Sequence, residues 1–156
     1  MANKNTEVGE EAIGKYPVSF YFSVSFDEYS NIDFQEVSGL SKEQAVEEVA
    51  GGGENRFKYR LPTGATSQNL VLKRAVVLKD DWLVEWCSDT IDGGLANPIQ
   101  TKTTSVNLLD KTGVVSMKWV FYDVYPIKYS VSDLKSQESE ILIDTIELAY
   151  TFFTVS

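Results

Sequence analysis

Two long runs in the last third of the chain limit its fold more than anything else in it. Val114–Pro126, continuing through Ile127-Lys128-Tyr129, and Ser139–Tyr150 are dense in β-branched and aromatic residues, which suit a pleated, half-buried surface. In the first run Val115, Met117, Trp119 and Phe121 alternate with Ser116, Lys118, Val120 and Tyr122. That period of two sends successive side chains to opposite faces of a strand. The second face is only half polar, so both sides of a sheet built from these strands need cover. A chain of 156 residues is one domain by length and can bury one ordinary core. Hiding both faces of a wide sheet is easier for an assembly than for a lone monomer.

The rest of the chain predicts more strands and a single helix. Residues 1–15 read as a flexible arm, and 16–156 as one domain without internal repeats. Phe20, Phe22, Val24 and Phe26 alternate with Ser19, Tyr21, Ser23 and Ser25, a half-buried strand. A polar turn follows at 27–31, then a strand over Ile32–Val37 that Ser38-Gly39 ends. Ser41–Ala50 has two readings. Ser41 could cap a helix with Gln44 three residues on, but apolar positions are sparse and Gly51-Gly52-Gly53 follows at once. Arg56, Lys58 and Arg60 alternate with Phe57, Tyr59 and Leu61 as an amphipathic strand, with Pro62-Thr63-Gly64 as a loop. Leu70–Leu78 is a further strand. Asp80-Asp81 opens a helix over about 80–91, because acids suit the positive helix N-terminus. Trp82, Leu83, Trp86 and Ile91 fall at helical spacing, and Gly93-Gly94 ends the element. A strand over 102–110 and a tight turn at Lys111-Thr112-Gly113 precede the two long runs. Seven or eight strands and one helix make a mainly β chain, a small antiparallel β-barrel or rolled sheet. Trp82 and Trp86 are then expected to plug one end of it.

Charge is unevenly placed. Residues 27–54 hold eight acids (Asp27, Glu28, Asp33, Glu36, Glu43, Glu47, Glu48, Glu54) against the lone base Lys42. Residues 55–79 hold six bases (Arg56, Lys58, Arg60, Lys73, Arg74, Lys79) and no acid. Such a chain can close on itself through cross-strand ion pairs, or present opposite signs to two neighbours.

Several classes of chemistry are not expected. A net charge of −9 argues against nucleic-acid recognition, which needs clustered Lys and Arg. There is no apolar run near the length of a membrane span, and the polar, acidic start has no signal-peptide core, so the chain reads as cytoplasmic when made. The single cysteine, Cys87, sits among Trp82, Leu83, Val84 and Trp86 and reads as a small buried hydrophobe. The absence of histidine removes the commonest general base and metal ligand. Asp80-Asp81 serves the helix start, Asp110 a turn, and Asp144 an exposed strand position, so no catalytic, metal or cofactor site is expected.

Trp119-x-Phe121 leading into Tyr125-Pro126-x-Lys128-Tyr129, and then Ile141-x-Ile143-x-Thr145-Ile146-Glu147-Leu148-Ala149, resemble the tail tube proteins of contractile phages and phage-tail-like contractile injection systems. Phe34-x-Glu36-Val37-Ser38-Gly39-Leu40, Leu70-x-Leu72-Lys73-Arg74 and Leu108-Leu109-Asp110-x-x-Gly113 fit in the same order, so the resemblance spans roughly residues 16 to 155. It implies an extended hairpin over about 41–61 that reaches toward a neighbouring ring, which favours the extended reading of Ser41–Ala50. It also implies six-membered rings stacked into a hollow tube. Glu43, Glu47, Glu48, Glu54, Arg56, Lys58 and Arg60 would then form the ring-stacking interface. Trp119, Phe121, Tyr125, Ile141, Ile143 and Ile146 would lie on the core and inter-subunit strands. Implied partners are further copies, a contractile sheath, baseplate and tube-terminating proteins, and cargo in the lumen. A tube-initiating paralogue at the baseplate and the hemolysin-coregulated ring protein of type VI secretion share much of this pattern. A monomeric ligand-binding β-barrel is the reading outside this class.

Overall fold

The computed structural model describes residues 21–51, 53, 58–77, 80–136 and 141–156. The expected arm, Phe20 in the first strand, and the hairpin residues Glu54, Arg56 and Phe57 lie outside them. Ten strands are described: β1 Tyr21–Phe26, β2 Tyr29–Ile32, β3 Glu36–Ser38, β4 Lys42–Ala50, β5 Lys58–Ser67, β6 Leu70–Ala75, β7 Lys102–Leu109, β8 Val115–Val131, β9 Ile143–Ala149 and β10 Phe152–Val155. The helix α1 spans Trp82–Asp92, and a single 3-10 turn follows at Gly94–Ala96.

Eight strands form one antiparallel sheet in the order β2-β1-β7-β8-β9-β6-β3, with β10 added to β8. Among the described residues the ends of this order do not pair, so the rolled sheet is found and the closed barrel is not. β8 belongs to both halves of it. Its first part pairs with β7 and β10, and its last part, Tyr125–Val131, with β9. Between them Asp123 takes a positive φ of 55°, a left-handed conformation that Asp tolerates better than most residues. Pro126, which has no N–H to donate, borders the register shift in the β8–β9 ladder. The two halves enclose Val24, Phe26, Leu70, Leu72, Leu83, Cys87, Val106, Phe121, Val124, Ile146 and Leu148, all buried.

Several boundaries differ from expectation for identifiable reasons. The turn after β1 is tight, with Asp27 at φ 40° accepting the Thr103 amide at 2.9 Å. Tyr29 and Ser30 can therefore already belong to a strand. The expected strand 32–37 splits because Phe34 turns into the core beneath the Arg74 guanidinium. Pro62-Thr63-Gly64 is no loop but lies inside β5, at a bulge facing Ala45 and Val46, where Pro is tolerated in a strand. Ile91 points to solvent rather than inward, and Ile141 precedes β9 and is exposed. Asp144 is the largest departure, since the expected exposed residue is fully buried.

Gly39 is one glycine that the fold requires. Its φ is +92°, and a Cβ there would sit 2.0 Å from the Asn69 carbonyl oxygen. Gly39→Ala should therefore cost about 1–3 kcal/mol, read as a lower urea midpoint with an unchanged slope.

Candidate functional site

The hairpin β4–β5 is a sheet of its own, and every residue of both strands is exposed. Its register pairs Glu48 with Arg60, Ala50 with Lys58 and Val46 with Pro62, while Glu47 faces Leu61 and Val49 faces Tyr59. Directly opposed residues share a face and neighbours alternate, so the expected stacking residues divide into two sets. Lys42, Val46, Glu48, Lys58, Arg60 and Pro62 share one face. Glu43, Glu47, Val49, Tyr59 and Leu61 share the other. The first face is basic on balance and the second acidic. Lys58 Nζ lies 4.0 Å from Glu48 Oε2, so the closing of the hairpin on itself is partly realised. At such exposure one pair contributes little.

The second group of expected residues does not form one surface. Phe121 and Ile146 are fully buried in the chain's own core, Trp119, Tyr125 and Ile143 are half-buried, and Ile141 is exposed. Trp82 and Trp86 pack edge-on against Phe26, at centroid distances of 5.4 and 6.0 Å. Tyr29 stacks on Trp82 at 4.0 Å, and the Lys102 ammonium lies 5.7–5.8 Å from the Tyr29, Trp82 and Trp86 rings. The tryptophans thus cover the core of an open sheet.

What holds α1 to that sheet was not singled out in the sequence. Arg74 on β6 sits directly opposite Asp144 on β9, its Nε 3.2 Å from Asp144 Oδ1. Arg74 Nη2 also donates to Asp81, the N-cap of α1, whose other oxygen accepts the Leu83 amide. Arg74 and Asp144 are both buried. Burial pushes the Asp144 carboxyl up, against the pull of the Arg74 guanidinium. Burial, followed by the Asp144 charge, raises the Tyr129 phenol. The signal was legible: Arg74 occupies the apolar phase of Leu70 and Leu72, and Asp144 that of Ile146 and Leu148.

Nothing in this arrangement points to catalysis. Burial pushes the Cys87 thiol up to about 12, which disfavours the nucleophilic thiolate. Asp110 is held below its usual range by the Thr112 hydroxyl and then the Val114 amide, as the turn requires. Among the described residues no three of Cys, Asp and Glu gather as a metal site. An open groove of about 590 Å³ is lined by Gln35, Glu36, Lys73, Ser130 and Thr145 among others, with no cysteine.

No curated protein matches the sequence at a significant level. Among solved structures the chain is similar to one in the PVC sheath-tube complex in the extended state, an extracellular contractile injection system. The TM-score is 0.80 at 20% identity, covering 97% of this chain and 98% of that one. A chain of the PVC sheath/tube terminator gives 0.78 at 22% identity, over 90% and 97%. Hcp1 from Flavobacterium johnsoniae gives 0.50 at 13% identity, over 86% and 93%. These identities speak for a shared fold. The family model of the T4-like virus tail tube protein gp19 matches residues 18–154, nearly the full length. With that coverage, the chain belongs to the T4-like virus tail tube protein gp19 family, whose members are structural tube proteins and not enzymes.

Proposed function

We propose that this chain is the inner-tube subunit of a contractile injection system or phage tail, forming sixfold rings that stack around a hollow lumen. The observation that carries the reading is what the fold leaves uncovered. A sheet open at both ends, with short edge strands β2 and β3, is joined to a hairpin exposed along its whole length. A lone two-stranded hairpin is marginal in water, and open sheet edges invite pairing with another chain. Further copies satisfy both. Edges join within a ring, and the hairpin, with Glu43, Glu47, Glu48, Glu54, Arg56, Lys58 and Arg60, bridges to the next. Such head-to-tail contacts close in one direction and run open-ended in the other.

The similar chains come from a sheath-tube complex, a sheath/tube terminator and an anti-feeding prophage baseplate described as 6-fold symmetrised. Sheath, terminator and baseplate proteins are accordingly the partners assigned to this chain, with cargo in the lumen and synthesis in the cytoplasm before assembly. Among the described residues no helix is long and apolar enough to cross a membrane. Residues 16–156 act as the single folded unit, with 1–15 as an arm between rings. The baseplate likeness, a TM-score of 0.70 at 24% identity over 88% of this chain, favours a tube-initiating paralogue as the second reading. Negative-stain electron microscopy with mass in solution tests the proposal. Sixfold rings or hollow rods are expected. A uniform 17.5 kDa monomer that also fails to polymerise on a baseplate template would overturn it.

A further inference from the structure

The end of α1 is built against its own interest. Asp89 and Asp92 lie in its last turn, and no base does. Acids there face the negative end of the helix dipole, at a cost. Among the described residues neither forms an ion pair. The chain that follows exposes Leu95 and Ile99, Leu95 entirely, while Ile91, exposed within the last turn itself, lines a separate groove with Asp92, Ile127 and Lys128. Asn97, Pro98, Ile99 and Gln100 line an open groove of about 450 Å³ with Trp86, Asp89 and Thr90. Scattered exposed apolar residues are ordinary, but Leu95 and Ile99 beside a groove that Asp89 lines mark a contact surface.

We infer that this surface receives the basic face of the β4–β5 hairpin from a second copy of the chain. The inference rests on the tube reading and names where the hairpin lands. The two surfaces are complementary in charge. Lys58 and Arg60 outnumber Glu48 on that hairpin face even with Lys58 4.0 Å from Glu48, beside the exposed Val46 and Pro62. Lys42 at the hairpin base lies over the Phe153 ring of its own chain, 4.5 Å from the centroid. α1 itself presents Glu85, Asp89 and Asp92 and no cation. Lys128 of β8 shares a groove with Asp92, whereas the described lining around Asp89 holds no cation. Opposite signs across an apolar centre steer encounter and fix orientation. The acidic face of the same hairpin, with Glu43 and Glu47, would be repelled, so only one side of the hairpin can seat. The donor and acceptor surfaces are different parts of the molecule, and that makes the contact head-to-tail.

A charge swap tests the pairing. Lys58→Glu/Arg60→Glu and, separately, Asp89→Lys/Asp92→Lys should each raise the concentration needed for rods or rings by roughly tenfold or more. The chain carrying all four changes should assemble near the native concentration. Melting temperature controls for folding, since lysines in the last turn of α1 should not lower it. Normal assembly of either two-site variant, or failure of the fourfold variant to recover, would overturn the pairing and point the groove to another protein such as the sheath. The two variants mixed in equal amounts separate this from the tube reading. Their association by sedimentation supports the pairing even if the native chain makes no rods. A mixture that stays monomeric sinks the pairing, whereas native rods would leave the tube reading standing.

Discussion

Arg74→Met should destabilise the chain by about 3–5 kcal/mol, because it strands two carboxylates that were packed around one guanidinium. Asp144 has no solvent to turn to, and the side chain of Asp81 is only 10% exposed. For a chain of this length the thermal midpoint should fall by about 10 °C. The loss should depend on pH in a definite sense. Burial already raises the Asp144 carboxyl in the folded state, and losing the cation raises it further. A carboxyl raised on folding holds its proton where the unfolded chain has released it. Its cost is absent below the ordinary carboxylate range and accumulates as pH rises through the folded value. The deficit of Arg74→Met should therefore shrink on acidification, measured by urea unfolding from neutral pH downward. A pH-independent deficit would mean that Arg74 acts by packing alone, for instance on the Phe34 ring 5.7 Å away. Arg74→Met/Asp144→Leu should recover much of the loss, since replacing a whole buried pair by apolar groups is often neutral.

Phe121→Ala is expected to cost a similar amount, about 3–5 kcal/mol, by a different route. Phe121 is fully buried, and its ring lies 4.9 Å from those of both Tyr150 and Phe153. Phe153 is its direct neighbour across the β8–β10 ladder. Removing the ring opens a cavity under β10, which pairs with β8. Amide exchange in Phe152–Val155 should speed up beyond the change elsewhere. Phe152→Ala, on the same strand but half exposed, controls for this: it loses only a surface stack on Tyr122 at 4.6 Å. Its effect should be well below that of Phe121→Ala. Equal losses would place the core of this half-sheet elsewhere.

Local pattern foretold those elements whose stability is local. The alternation of β1 and β8, the acidic opening of α1 and the Asp110 turn each follow from neighbours in sequence, and each was found near its expected place. The hairpin was extended, but its strands ran on to Ser67, because a bulge absorbs the Pro62-Thr63-Gly64 that reads as a loop. Asp144 was misread because a lone acid in a strand is ordinarily at the surface. Only the pairing of β6 with β9, seventy residues apart in sequence, brings Arg74 to it. The same limit applies to the stacking residues. Charge along the chain suggested acidic and basic segments. The division that pleating imposes is between two faces of one hairpin, and it needs the register of β4 on β5.

The shared strand β8 also bears on how the molecule would answer mechanical force. Most β proteins can be sheared apart along a row of hydrogen bonds. Here seventeen residues run unbroken from one half-sheet into the other. Sliding the halves past each other would first have to straighten the backbone at Asp123, and then stretch covalent bonds. A pull that draws the two halves apart would thus be carried through the peptide chain itself, with the left-handed residue Asp123 as the compliant point.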